Sequence, residues 1–272
     1  MCLDTPQVMG VLNVTPDSFS DGGSLLEAGS LSLDKALHRV EQMLEQGAAI
    51  IDIGGESTRP GAELVSLQEE FDRVMPVVEA IKQRFDTIIS VDTSSPKLML
   101  AAAAAGAGLI NDIRALERPG AIAAALQAGL PVCLMHMKGQ PISMQQAPEY
   151  QQVVGDVSDY LQGRVDACLQ AGLSSAQIIL DPGFGFGKTV AHNLSLLREL
   201  SSLAALNYPL LVGLSRKSLI GALLGRAVDQ RLAGSLTLAV LAVERGASIV
   251  RAHDVAETVD AMRLCAAVNH IK

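Results

Sequence analysis

Gln177-Ile178-Ile179-Leu180-Asp181-Pro182-Gly183-Phe184-Gly185-Phe186-Gly187-Lys188, with the helical pattern Val190–Ser202 behind it, holds a complete strand–loop–helix unit. A short apolar run ends in an aspartate, a loop of glycines and phenylalanines follows, and helical spacing then resumes. The glycines let backbone approach a bound molecule, and Phe184 and Phe186 offer flat walls, so the loop reads as a ligand site. Taken alone it is equally a structural turn with a solvated Asp181.

The same unit recurs along the chain. Apolar runs stand at Val8–Val14, Ala49–Ile53, Thr87–Val91, Leu109–Ile110, Pro131–Met135, Gln177–Leu180, Pro209–Val212 and Ala247–Val250. Helical patterns lie between and after them, at Leu33–Gln46, Gln68–Phe85, Pro96–Ala105, Pro119–Ala128, Tyr150–Ala171, Val190–Ser202, Gln230–Arg245 and Val255–Val268. Gly47, Gly106, Gly129, Gly172 and Gly246 fall where a left-handed cap would close a helix before the next strand. Eight strands alternating with eight helices predict a (β/α)8 TIM barrel, the alternative being an open doubly wound sheet. No linker, low-complexity tract or sequence repeat divides residues 1–272, so a single domain is expected.

Apolar residues make up 49% of the chain and aromatics 3%, with no Trp, so the core must be built from Ala, Leu, Val and Ile, as suits parallel strands under helices. A net charge of −8 and the lack of any Lys/Arg run argue against nucleic acid as a partner. Cys2, Cys133, Cys168 and Cys265 have no metal-ligand or CxxC spacing and read as buried or incidental thiols in a reducing compartment. The longest apolar stretch, Leu98–Ile110, is shorter than the roughly 20 residues of a spanning helix. The N-terminus has no basic leader, so a cytoplasmic protein without a membrane partner is expected.

In such a barrel the residues just after each strand converge on one mouth. Here they are Asn13, Asp17 and Asp21; Asp52 and Gly54–Gly61; Asp92-Thr93-Ser94; Asn111-Asp112; His136; Asp181; Ser215–Ser218; and Arg251, His253 and Asp254. Asp112, Thr93 and Asp254 read as caps or turn formers. Asp92, Asn111 and Asp181 together suit a flat ligand edge rich in N–H donors, such as an aminopyrimidinone. Arg59, Arg251, His253 and Asn13 suit phosphate oxygens and a divalent metal. No G-x-S-x-G elbow, H-E-x-x-H or Walker loop occurs, so catalysis by positioning and charge stabilisation is expected, without a covalent intermediate.

Met9–Gly23, Asp52–Gly61, Ser90–Thr93, Asn111–Ile113, Met135–Met137, Asp181–Lys188, Gly213–Ser218 and Arg251–Val255 occur in order, one motif per strand. Together they resemble the bacterial dihydropteroate synthase family from about Val8 to the C-terminus. The resemblance implies a (β/α)8 barrel that condenses 6-hydroxymethyl-7,8-dihydropterin diphosphate with p-aminobenzoate, releasing diphosphate by an SN1-like substitution. It implies that Asp92, Asn111, Asp181, Lys217, Met135 and Gly213 hold the pterin. Asn13, Thr58, Arg59, Arg251 and His253 would take the diphosphate, with Asn13 at a Mg2+ ion. Thr58, Pro60, Phe186, Lys217 and Ser218 would frame p-aminobenzoate, and Lys217, Arg251 and Asn13 would carry the chemistry.

The resemblance further implies mobile loops at Val14–Ser32 and Gly54–Leu67, inhibition by sulfonamides, and a homodimer, for which Leu232–Val243 is a candidate surface. Two departures stand out. Only eight residues precede Met9, so an N-terminal hairpin flooring the barrel is expected to be short or missing, and Ala252 replaces a larger apolar residue. A pterin-dependent methyltransferase and a silent pterin-binding protein are the alternatives; the anion-binding group speaks against the first, and its retention together with Lys217 against the second.

Overall fold

A computed structural model describes residues 3–15, 26–27, 30–56, 65–139, 144 and 148–269. The chain runs β1 (Gln7–Asn13), β2 (Leu26–Glu27), β3 (Ser30–Leu31), α1 (Leu33–Glu45), β4 (Ile50–Gly54), α2 (Leu67–Arg84), β5 (Ile88–Asp92), α3 (Pro96–Ala104), β6 (Leu109–Asp112) and α4 (Ala121–Ala128). It continues through β7 (Val132–Met135), α5 (Val153–Gln170), β8 (Ile178–Asp181), α6 (Val190–Arg198), α7 (Leu200–Ala204), β9 (Leu210–Val212), α8 (Ser218–Leu224), α9 (Leu232–Val243), β10 (Ala247–Ala252) and α10 (Val255–Asn269). All strands but β2 and β3 close into one parallel barrel in the order β1-β10-β9-β8-β7-β6-β5-β4, so the eight expected strands form a barrel and not an open sheet.

Successive side chains of a strand point to opposite faces, and that period of two organises the interior. Met9, Ile50, Leu109, Cys133, Ile179, Leu211 and Ile249 meet inside the barrel as a plug, with Leu3 and Ile88 packed against it. The outward set, including Leu12, Ile51, Ile53, Ile89, Val91, Leu134, Leu180 and Val212, joins the helices in a larger core. Two residues beyond the plug, the inward positions become Asp52, Ser90, Asn111, Met135, Asp181, Gly213 and Arg251. The plug is thus the floor of the site and the next layer is its wall.

Gly47, Gly106, Gly129, Gly172 and Gly246 have φ between 67° and 104°, the left-handed caps expected before the following strands. Three elements differ from the sequence pattern. The helix expected over Val190–Ser202 breaks at Glu199 into α6 and α7. The short α8, which begins directly after Lys217, was not expected. A two-stranded antiparallel ladder, β2 with β3, interrupts the segment expected as an open loop. No strand precedes β1 among the described residues, and Leu3 reaches the plug itself.

Candidate active site

Asp52 is fully buried at the centre of the wall. Its Oδ1 accepts a 2.6 Å hydrogen bond from Ser90 Oγ, and its Oδ2 accepts one of 2.6 Å from Arg251 Nε. Asn111 Nδ2 donates to the same carboxylate at 3.3 and 3.4 Å, and Arg251 Nη2 donates to Asp92 Oδ2 at 3.3 Å. Burial first, and then the neighbouring Asp52, push the Asp92 carboxyl well above the usual carboxylate range, against the pull of Arg251. Asp181 is raised chiefly by burial, with Lys217 opposing. Buried carboxyl groups gathered around one guanidinium favour a ligand that brings N–H donors or positive charge.

The Asp181–Lys188 loop is locked from beneath. Asp181 Oδ1 accepts from Gly183 N at 2.7 Å, and Gly183 has φ 67°, with its Cα so close to the chain that an added Cβ would lie 1.8 Å from His136 O. Lys188, 3% exposed, donates to Gly183 O at 2.9 Å and Phe186 O at 3.1 Å and lies 2.8 Å from His136 Nδ1. Burial, and then the Lys188 charge, bring His136 down to about 3, so its ring is neutral beside Lys188, which burial lowers to about 7. Lys217, at the N-cap of α8, crosses to Phe184 O and stands 4.6 Å over the Phe186 ring. Burial lowers Lys217 to about 8, with Asp181 opposing.

The structure brings together Asp92, Asn111, Asp181, Lys217, Met135, Gly213 and Arg251 at the strand ends, with Phe186 half-buried beside Lys217. Arg251, expected in an anion-binding group apart from the carboxylates, instead spans Asp52 and Asp92 and joins the two groups. His253 Nδ1 lies 3.0 Å from Ser215 Oγ, and Ser218 opens α8 in an exposed position. Thr58, Arg59 and Pro60, with Asp17, Asp21 and most of both expected mobile loops, lie outside the described residues. Asp112 and Thr93 are turn formers as expected, accepting from Arg114 N and Ser95 N, and Asp254 stands at the N-cap of α10, its carbonyl accepting from Thr258 N while its carboxylate pairs with Arg216.

Three residues are named by the sequence without a role: Asp52 among the mouth residues, Ser90 within a motif and Lys188 within the glycine loop. Asp52 and Ser90 are paired across the β4–β5 ladder, and their inward facing is legible once Ile50 and Ile88 are placed in the floor. The burial of Lys188 beneath the loop was not legible, because a lysine between Gly187 and Thr189 reads as solvated. Deeper along the rim, Arg114 makes a two-pronged pair with Glu56 at 3.1 and 3.2 Å and also donates to Ser94 Oγ.

Residues 9–253 match the family described as pterin binding enzymes. The dihydropteroate synthase of Haemophilus influenzae is 56% identical over 97% of this chain and 94% of its own length. The chain belongs to the dihydropteroate synthase family. A crystal structure of the Yersinia pestis dihydropteroate synthase in a sulfonamide drug complex superposes with a TM-score of 0.95 at 54% identity, covering 100% of this chain and 97% of that one. The dihydropteroate synthase of Xanthomonas albilineans with 4-aminobenzoic acid gives 0.92 at 47% identity, covering 100% and 96%. Dihydropteroate synthases are transferases, and membership in their family decides against the methyltransferase and the silent binder.

Proposed function

We propose that the barrel mouth joins the methylene carbon of 6-hydroxymethyl-7,8-dihydropterin diphosphate to the amine of p-aminobenzoate. Asp92, Asn111 and Asp181 take the donor edge of the pterin, Lys217 its acceptors, and Met135 and Gly213 line the ring. Arg251 and His253, with Thr58, Arg59 and Asn13, take the diphosphate. Phe186, Lys217 and Ser218, with Thr58 and Pro60, frame p-aminobenzoate. The observation that carries the reading is the buried Asp52–Arg251–Asp92 arrangement, in which a cation for the leaving group stands against carboxylates for the pterin.

The carbon–oxygen bond breaks first and its electron pair leaves with diphosphate. Positive charge then spreads from the methylene into the pterin, where the carboxylates of the wall favour it over a neutral ground state. The amine lone pair of p-aminobenzoate closes the new carbon–nitrogen bond, and the surplus amine proton is lost. No step needs a protein nucleophile.

A Cβ placed on Gly54 would stand 3.6 Å from Asn13 Oδ1 and 3.8 Å from Asp92 Oδ2, so an amide oxygen and a carboxylate oxygen both border Gly54 at the strand ends. That donor set fits Mg2+, which Asn13 would hold with oxygens of the diphosphate and water; the ion would neutralise charge on the leaving group. We further infer a homodimer through α9, whose Leu238, Val240, Leu241 and Val243 are only partly buried, and a cytoplasmic location, which fits the absence of a membrane-crossing helix among the described residues.

Diphosphate release measured with and without p-aminobenzoate tests the reading. Release should rise with p-aminobenzoate, yield dihydropteroate, fall in Lys217→Ala, and be inhibited by sulfonamides in competition with p-aminobenzoate. Pterin binding with no diphosphate release, or inhibition that added p-aminobenzoate does not relieve, would count against it.

A further inference from the structure

We propose that Asp52 is a positioning residue for the leaving-group end of the reaction, holding Arg251 by its Nε so that the rest of the guanidinium faces the diphosphate and Asp92 stays available to the pterin. This rests on the roles given above to Arg251 and Asp92. An arginine side chain is long and rotamer-rich, and a guanidinium beside two carboxylates has two competing seats. The geometry ranks them. The bond to Asp52 is 2.6 Å and made by Nε, near the root of the fork, whereas the bond to Asp92 is 3.3 Å and made by Nη2. These bonds leave the Nη1 end without a protein partner among the described residues, on a side chain that is 23% exposed at the mouth.

Asp52 is itself immobilised for this task. It is 0% exposed and takes the Ser90 hydroxyl on its other oxygen, so neither oxygen can turn to solvent. Its third partner is Asn111, a residue of the pterin wall. One carboxylate therefore ties the anion-binding arginine to the pterin-binding amide across the barrel. Without its charge, Arg251 would fall onto Asp92, closing the pterin's seat and withdrawing the fork from the diphosphate.

The test is Asp52→Asn, Arg251→Ala and the double variant, each assayed for diphosphate release while both substrates are varied. In Asp52→Asn, kcat/KM for the pterin diphosphate should fall roughly 10- to 100-fold, as for other residues that orient a site group, with the KM for p-aminobenzoate little changed. On the Arg251→Ala background the same change should cost nothing further, since a residue acting through Arg251 has nothing left to orient. A further loss in the double variant, or a loss spread equally over both substrates, overturns the inference and leaves the reading of Arg251 standing. Normal release by Arg251→Ala sinks that reading and this inference with it. If Asp52→Asn does not fold, Ser90→Ala decides: it keeps the charge and removes one 2.6 Å bond. It should show a smaller loss in the same parameter, also abolished by Arg251→Ala, and unchanged kinetics would overturn the inference.

Discussion

At the scale of the residue, burial sets the working pH of the site. Lys217 titrates near 8 because burial penalises its charge, with Asp181 opposing. If the ammonium is the form that holds the pterin, kcat/KM should fall as pH rises through about 8, and Lys217→Arg, which stays charged, should move that limb upward while lowering the rate. The stability sign is opposite: between its folded value and the ordinary 10.5, the unfolded chain binds the proton that the folded one sheds, so Lys217 contributes stability that rises with pH there. His136 acts at the acid end. Its folded value is about 3 against an ordinary 6.5, so the unfolded chain takes up a proton the folded one refuses, and stability falls as pH drops through that window. From pH 7 to 5 this costs about 2 kcal/mol. Urea midpoints of the protein and of His136→Asn at the two pH values should show the variant with the shallower loss.

At the scale of the element, the strand-end loops were legible where backbone chemistry forces a residue and opaque where distant side chains meet. Gly183 could be read as a loop glycine, and the structure adds why nothing larger fits: φ 67° with a neighbouring carbonyl oxygen 1.8 Å from the missing Cβ. Gly183→Ala should therefore cost several kcal/mol or prevent folding, measured as lost soluble yield or a lowered urea midpoint. Gly163 makes the contrast, exposed inside α5 with nothing within 4 Å of an added Cβ. Gly163→Ala should stabilise by about 0.5–1 kcal/mol, raising Tm by roughly 2 °C in calorimetry. The eight strands and most of the polar residues of the mouth followed from the apolar runs, since the residues just after each run stand at one end of a barrel. The Asp52–Arg251 contact did not, because its partners are 199 residues apart and only barrel closure brings them together. The break at Glu199 and the seven-residue α8 also escaped, being shorter than the periodicity that announces a helix.

At the scale of the molecule, the closed barrel leaves no strand edge unpaired, and its floor and shell are each continuous hydrophobic clusters. A ligand that needs the wall intact binds only the folded chain, so it should stabilise by mass action: about 2.7 kcal/mol at a hundred times its Kd, a few degrees in Tm. A thermal-shift titration with the pterin diphosphate and Mg2+ should show this, and Asp92→Ala should abolish it with the apo Tm little lowered. The floor also carries its own reporter. Cys133 sits among the plug residues with no exposure, and burial pushes its thiol well above the ordinary range. An alkylating reagent can reach that sulfur only when the eight strands part, so the rate at which Cys133 is labelled, with ligand and without, counts the barrel's openings one molecule at a time.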